Sequence, residues 1–320
     1  MRKRQFVSLA AGVAALGALA GFGATSASAA ALPAGAANAR PAIASASWSA
    51  IATVPGVSTV DGPALATFGT KLYASWAGPG THKVFYDSFS GSTWSGQATV
   101  PDTGTVASPA VAEFHGDLYV AWAGQTTGKV FYSTFNGSKW SAIAAVPGAS
   151  TVDGPALAVI GTRLYVAWAG PSTHEVFYDS FNGSTWSGQA AVPDTGTVAS
   201  PALAEFHGDL YVAWAGRTTN KLFYSTFNGS KWSAIAAVPG VSTVDGPALA
   251  TFGTKLYASW AGPSTHKVFY DSFNGSTWSG QATVPDTGTV ASPALAEFHG
   301  DLYVAWAGQT TNKLFYSSMG

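Results

Sequence analysis

Asp61, Asp153 and Asp245 each precede Gly-Pro, His82, His174 and His266 each follow Thr, and Trp76, Trp168 and Trp260 each follow a β-branched or small residue run; all three sets recur every 92 residues. Carboxylates and imidazoles supply directional hydrogen bonds, and an indole offers a flat apolar face. That combination suits the hydroxyls and the apolar face of a sugar ring. Each set has a second reading. The tryptophans could be core packing, the aspartates could close the turn before Gly-Pro through their own backbone, and the histidines could be ordinary polar loop residues. A further set, Glu113, His115 and Asp117 with its copies at Glu205 and Glu297, contains metal-ligand types. His-Gly-Asp is also a good hairpin turn, and metal binding would need the ligands to converge. No metal and no cofactor are expected.

Almost every polar residue therefore occurs three times. Catalysis on one substrate calls for a unique nucleophile, acid and base, which would stand out as departures from the repeat. The departures are Gly80 for Ser, Glu175 for Lys, Arg163 for Lys and Arg217 for Gln. They do not compose a catalytic set, so several equal binding sites fit better than an enzyme.

The elements that must position these residues are set by tryptophan spacing. Trp48, Trp94, Trp140, Trp186, Trp232 and Trp278 are 46 residues apart, as are Trp76, Trp122, Trp168, Trp214, Trp260 and Trp306. Six such units make a ring or stack of supersecondary units. In the third copy, Pro155 to Ile160, Leu164 to Trp168, Val176 to Phe181 and Thr185 to Val192 read as strands, because β-branched and aromatic residues alternate with turn residues. Asn182-Gly183 predicts a type I′ hairpin turn with positive φ at both residues. Four antiparallel strands per unit, six times over, predict an all-β, six-bladed β-propeller. The sixth copy stops before its fourth strand, whereas Ser47 to Val54 has no blade of its own. The expected solution is that this segment pairs as the outer strand of the last blade, which removes an open edge.

Odd and even units differ consistently, so the ring is three 92-residue blade pairs. Odd units carry Thr-Val-Asp-Gly-Pro and Thr-His; even units carry Ala-Ser-Pro at Ser108, Ser200 and Ser292, and the string Glu-Phe-His-Gly-Asp-Leu-Tyr-Val-Ala-Trp-Ala-Gly.

Ahead of the repeats, Arg2, Lys3 and Arg4 lead into an apolar run from Phe6 to Gly23, and Ala27-Ser28-Ala29 is a small-residue cleavage pattern. Residues 1–29 read as an export signal, 30–46 as a disordered Ala/Pro-rich leader and 47–320 as the propeller. The expected location is secreted, outside a bacterial cell, with no membrane insertion once the signal is removed. Its loss takes three of the 15 basic residues and leaves 12 against 16 acidic ones, a net charge of −4. No basic stripe remains to track a phosphate backbone, so nucleic acid is not an expected partner. There is no cysteine, so stability must come from packing and closure rather than disulfides.

The layout Trp-Ser-x4-Val-Pro, Gly-Pro-Ala-Leu-Ala, Leu-Tyr-x-x-Trp, Val-Phe-Tyr and Asn-Gly-x-x-Trp-Ser resembles the repeats of bacterial and fungal fucose-binding propeller lectins over all six units. The resemblance implies shallow glycan sites between adjacent blades. The Arg and Glu contacts of the fungal members have no repeated counterpart here. Ser180-Phe181-Asn182-Gly183-Ser184-Thr185-Trp186 also looks like a shortened form of the structural turn of sialidases. Those enzymes need an arginine triad for the substrate carboxylate, and beyond the signal this chain has Arg40, Arg163 and Arg217 alone, Arg40 in the leader. The expected function is a non-enzymatic, multivalent carbohydrate-binding lectin. A protein-binding or cell-surface scaffold is the alternative, and a glycoside-processing enzyme stands third.

Overall fold

The computed structural model describes residues 47–320 apart from Val60, Val152 and Val244. The signal and leader expected over 1–46 lie outside the described residues.

Six four-stranded antiparallel sheets follow one another along the chain. Blade 1 comprises Ala64–Phe68, Lys71–Ala77, Val84–Phe89 and Ala98–Thr99, and blade 2 comprises Ala110–Phe114, Asp117–Ala123, Lys129–Phe135 and Ala144–Ser150. Blades 3 and 5 repeat the first pattern, blade 4 the second. Blade 6 takes Ala294–Phe298, Asp301–Ala307 and Lys313–Met319 from the C-terminus and Ala52–Ser58 from the N-terminus. Within each blade the first strand lies innermost. The first strands of neighbouring blades touch all the way round, blade 6 against blade 1 included, so the ring is closed. The chain is a six-bladed propeller.

The closing strand starts later than the sequence suggests. Ala52 pairs with Tyr316 and Ser58 with Lys313, across a register irregularity, while Trp48 makes only an isolated bridge to Met319. Trp48 marks the place where every fourth strand begins. Its counterparts Trp94, Trp140, Trp186, Trp232 and Trp278 likewise make single bridges to the third strand.

These tryptophans glue blade to blade. Each packs against a tyrosine on the third strand of the preceding blade: Trp140 on Tyr86 at 5.1 Å, Trp232 on Tyr178 at 5.1 Å, and Trp48 on Tyr270 at 5.3 Å, all edge to face. That geometry places a positive ring edge on a negative ring face. The sheets otherwise bury alternating apolar residues on both sides. Tyr73 and Val84 of blade 1 share a core with Leu118, Val120 and Trp122 of blade 2.

The fourth strand is where odd and even blades part. In even blades it runs seven residues, and Ser150 and Ser242 pair with Lys129 and Lys221. In odd blades it is two residues long. There a side chain takes over: Thr103, Thr195 and Thr287 accept the N–H of Val84, Val176 and Val268 at 2.9–3.0 Å.

The hairpin turn differs from the expected type I′. Only Gly183 has positive φ, at 95°, and Asn182 does not share it. Asn182 Oδ1 instead accepts the N–H groups of Ser184 and Thr185 at 2.9 and 2.8 Å. The asparagine side chain closes a four-residue loop, so the backbone has no need of a second left-handed residue.

Candidate functional site

Two kinds of concavity stand out on the ring. One is an axial well lined by the start of all six first strands, including Pro63, Ser108, Pro155, Ser200, Pro247 and Ser292. The other kind lies between blades, where the loop between second and third strands meets the preceding blade.

The predicted aspartates belong to the axis. Asp61, Asp153 and Asp245 accept the N–H of the next glycine at 2.7–2.8 Å, and Asp153 Oδ2 also accepts the N–H of Ser200 on the following blade. A glycine is required after each one. A Cβ on Gly62, Gly154 or Gly246 would run into the backbone carbonyl of Ser292, Ser108 or Ser200 on the preceding blade. Burial raises the Asp61 carboxyl above its ordinary value, and the negative charge of Asp153 adds to this. Burial likewise lifts Asp245 to about 6, opposed by the Gly246 N–H and aided by Asp153 and Asp61. The three carboxylates thus feel one another across the mouth of the well.

The predicted histidines lie at the ends of the loops between second and third strands. His82, His174 and His266 have φ of 57–63°, and each backbone carbonyl accepts the N–H of Thr105, Thr197 or Thr289 at 2.7–2.8 Å. Even blades put Gly128, Asn220 and Asn312 at that place, all with positive φ. The backbone therefore favours residue types that tolerate the left-handed region, His and Asn among them. None of the three histidines lines any of the four inter-blade hollows described next.

Those hollows have volumes of 290–460 Å³. This is the small end of the range for ligand sites, roughly 300–1,000 Å³, and it suits a single sugar ring. Their floor is the second-strand tryptophan with a third-strand phenylalanine: Trp122 and Phe131 in blade 2, Trp214 and Phe223 in blade 4, Trp260 and Phe269 in blade 5, and Trp306 and Phe315 in blade 6. The indoles are 0–2% exposed, and Trp76 and Trp168 are equally buried. Each tryptophan stacks on its phenylalanine, with centroids 6.0 Å apart for Trp76–Phe85 and 6.1 Å for Trp168–Phe177 and Trp260–Phe269. The phenylalanines are half-buried. The ring face left for a ligand is therefore that of phenylalanine, backed by tryptophan.

Sequence reasoning passed over these phenylalanines because Phe-Tyr in a strand reads as core. It also passed over the walls. In even blades these are Asp102, Asp194 and Asp286 from the preceding loop, Gln125, Arg217 and Gln309, and Ile143, Ile235 and Ile51. The available signal was the odd-even alternation at each of these positions.

On the opposite end of the blades, Glu113, Glu205 and Glu297 accept the N–H of Gly116, Gly208 and Gly300 at 2.6–2.8 Å and close the His-Gly-Asp hairpins. His115, His207 and His299 stack on the phenylalanine just before them, 3.8–3.9 Å between centroids. Among the described residues no three His, Cys, Asp or Glu side chains are grouped to hold a metal ion. No helix among them is long and apolar enough to cross a membrane.

No family model matches the chain, and no curated protein matches it. Solved structures do. The six-bladed fungal lectin of Aleuria aurantia, described with a novel fucose recognition mode, superimposes with a TM-score of 0.61 at 14% identity, covering 81% of this chain and 94% of that one. SapL1 lectin in complex with α-methyl fucoside gives 0.57 at 13% identity, covering 80% and 90%. A Trypanosoma rangeli sialidase gives 0.57 at 14% identity over 82% of this chain and 54% of that one. The structural neighbours are thus fucose-binding propeller lectins and sialidase-like propellers. At these identities the likeness is one of fold.

Proposed function

We propose that this chain is a secreted, non-enzymatic lectin that binds carbohydrate in the hollows between its blades. One observation carries the reading: repeated hollows with an aromatic floor and hydrogen-bonding walls stand around a rigid ring. A half-exposed phenylalanine can take the apolar face of a pyranose, and Asp, Gln, Thr and Ser around it can take the hydroxyls. The lectin neighbours lend support, since two of them are described in terms of fucose recognition or a fucoside complex.

The aspartates and histidines singled out in the sequence enter this proposal in supporting roles. Asp61, Asp153 and Asp245 hold the axial mouth, and His82, His174 and His266 join one blade to the next. Trp76, Trp168 and Trp260 back the ring on which the sugar rests.

Sialidase-like neighbours raise the enzyme reading. Against it stand the threefold repetition of nearly every polar group and the lone positions of Arg163 and Arg217. A single hollow of this kind binds weakly. Repetition on a rigid ring converts weak sites into avidity toward a surface that is itself multivalent. Glycan-array screening followed by calorimetry of the best soluble sugar tests the proposal. Saturation near three or six sugars per chain supports it, and no glycan binding at millimolar sugar overturns it.

A further inference from the structure

The hollows fall into two chemical classes. Three paired replacements divide them, each at an equivalent place in the 46-residue unit. Where even-blade hollows have Asp102, Asp194 and Asp286, the blade 5 hollow has Gly240. Where they have Gln125, Arg217 and Gln309, it has Pro263. Where they have Ile143, Ile235 and Ile51, it has Gln281, with Ser242 and Asn220 completing its wall. The sequence repeats this choice in blades 1 and 3, with Gly56, Pro79 and Gln97, and with Gly148, Pro171 and Gln189. The side chain of Gln189 lies 3.8 Å from where a Cβ on Gly148 would sit, so the pairing of these positions across the blade boundary holds there too.

Backbone needs explain part of this. The N–H of Gln125, Arg217 and Gln309 donates to the carbonyl of Gly104, Gly196 and Gly288 at 2.9 Å and fixes the even-blade wall to the preceding loop. Proline at the odd positions has no N–H to give. The third replacement is partly a matter of packing: Ile235 and Ile51 are half-buried against the blade cores, while Ile143 is 36% exposed. A glutamine occupies the same place in odd blades, where it is exposed. A partly exposed isoleucine beside a half-buried phenylalanine and an exposed carboxylate makes a wall that is apolar on one side and polar on the other.

Resting on the lectin reading, we infer that the ring carries two sets of three carbohydrate sites with different specificities. The even-blade set selects neutral or amino sugars that present an apolar edge to isoleucine and a hydroxyl pair or ammonium to aspartate. The carboxylate disfavours acidic sugars in blades 2 and 6, where a glutamine stands beside it, and in blade 4 Arg217 offsets it. The odd-blade set, represented by the blade 5 hollow with no charged wall, selects acetamido sugars, because a carboxamide side chain both donates to and accepts from the ligand amide. Such a chain would join two kinds of glycan on one rigid platform.

The test exchanges the walls, using residues that the ring already places at the equivalent positions. One triple variant carries Asp102→Gly, Asp194→Gly and Asp286→Gly; these aspartates have φ of 55–58°, which glycine adopts freely. The other carries Gln97→Ile, Gln189→Ile and Gln281→Ile. A third, with Asp→Asn at the same three positions, removes charge while keeping shape, should the glycine variant not fold. All are read on a printed glycan array alongside the native chain, and by calorimetry with the methyl glycosides of glucosamine, N-acetylglucosamine and glucuronic acid. The expected result is that the aspartate variants lose about tenfold or more on one subset of glycans and change by about twofold or less on the rest, with the glutamine variant showing the complementary pattern. If all variants weaken the same glycans in the same proportion, the two-class inference is overturned while the lectin reading stands. If the native chain binds no glycan, both fall.

Discussion

Two carboxylates at the axial mouth, Asp61 and Asp245, oppose folding when they are ionised, because burial raises both above the ordinary value. Asp245 titrates near 6 in the folded ring against an ordinary value of 3.8, and burial is the main cause. Its folded form binds a proton more readily than its unfolded form, so stability falls as pH rises from about 4 to about 6 and stays low above that. Asp245→Asn keeps an acceptor for the Gly246 N–H and removes the charge. It is expected to raise the melting temperature at pH 8 by a few degrees, on the order of 1–3 kcal/mol, and to change it little at pH 4, as scanning calorimetry at the two pH values would show. Another buried carboxylate is held by hydrogen bonds within its own blade. Asp179 is fully buried, and its Oδ1 accepts the Ser180 N–H at 2.7 Å and the Ser187 hydroxyl at 2.8 Å, while Oδ2 has no partner. Asp179→Ala removes the main acceptor of the buried Ser180 N–H and is expected to cost about 1–3 kcal/mol in denaturant unfolding. Asp179→Ser should cost less, because even blades place Ser225 there, donating to the Ser233 carbonyl at 3.0 Å.

Strand order, strand positions and turn sites were legible in the sequence because they depend on local patterns repeated six times. Val176–Phe181 appears in the structure with the bounds the pattern gives. The fourth strand was less legible. Thr185 to Val192 reads as one strand, yet only Ala190–Ala191 pairs regularly, since the Thr195 hydroxyl replaces a backbone acceptor for Val176. Such a substitution of side chain for strand leaves no periodic trace. Thr195→Val removes that acceptor from a buried N–H and should cost about 1–3 kcal/mol. Hydrogen exchange should show the Val176 amide opening faster, with the amides of blade 6 unchanged. The aspartates, histidines and tryptophans chosen from the sequence do not come together at one place in the structure. Which end of a blade pair each group faces depends on inter-blade packing, which spacing along one chain does not reveal. Hence Asp61 went to the axis, while Phe131 and Asp102 came together across a blade boundary.

At the scale of the whole ring, the N-terminal strand closes the ring and lines one of its hollows. Trp48 packs on Tyr270 of blade 5, Ser49 N–H donates to the Ser318 carbonyl at 2.7 Å, and Ile51 lines the hollow of blade 6. Trp48→Ala should destabilise the ring by about 3–5 kcal/mol, as for other large aromatic truncations in a packed interface. Fluorescence and far-UV unfolding curves should then cease to coincide, because the blade 6 edge would open before the rest. The lectin account rests finally on where a sugar sits. A crystal of the native chain soaked in the best array ligand tests this most directly. The account predicts sugar density between blades, over Phe131, Phe223, Phe269 or Phe315 and within hydrogen-bonding reach of the walls described. Sugar confined to the axial mouth beside Asp61, Asp153 and Asp245, or to the hairpins at Glu113, Glu205 and Glu297, would contradict it.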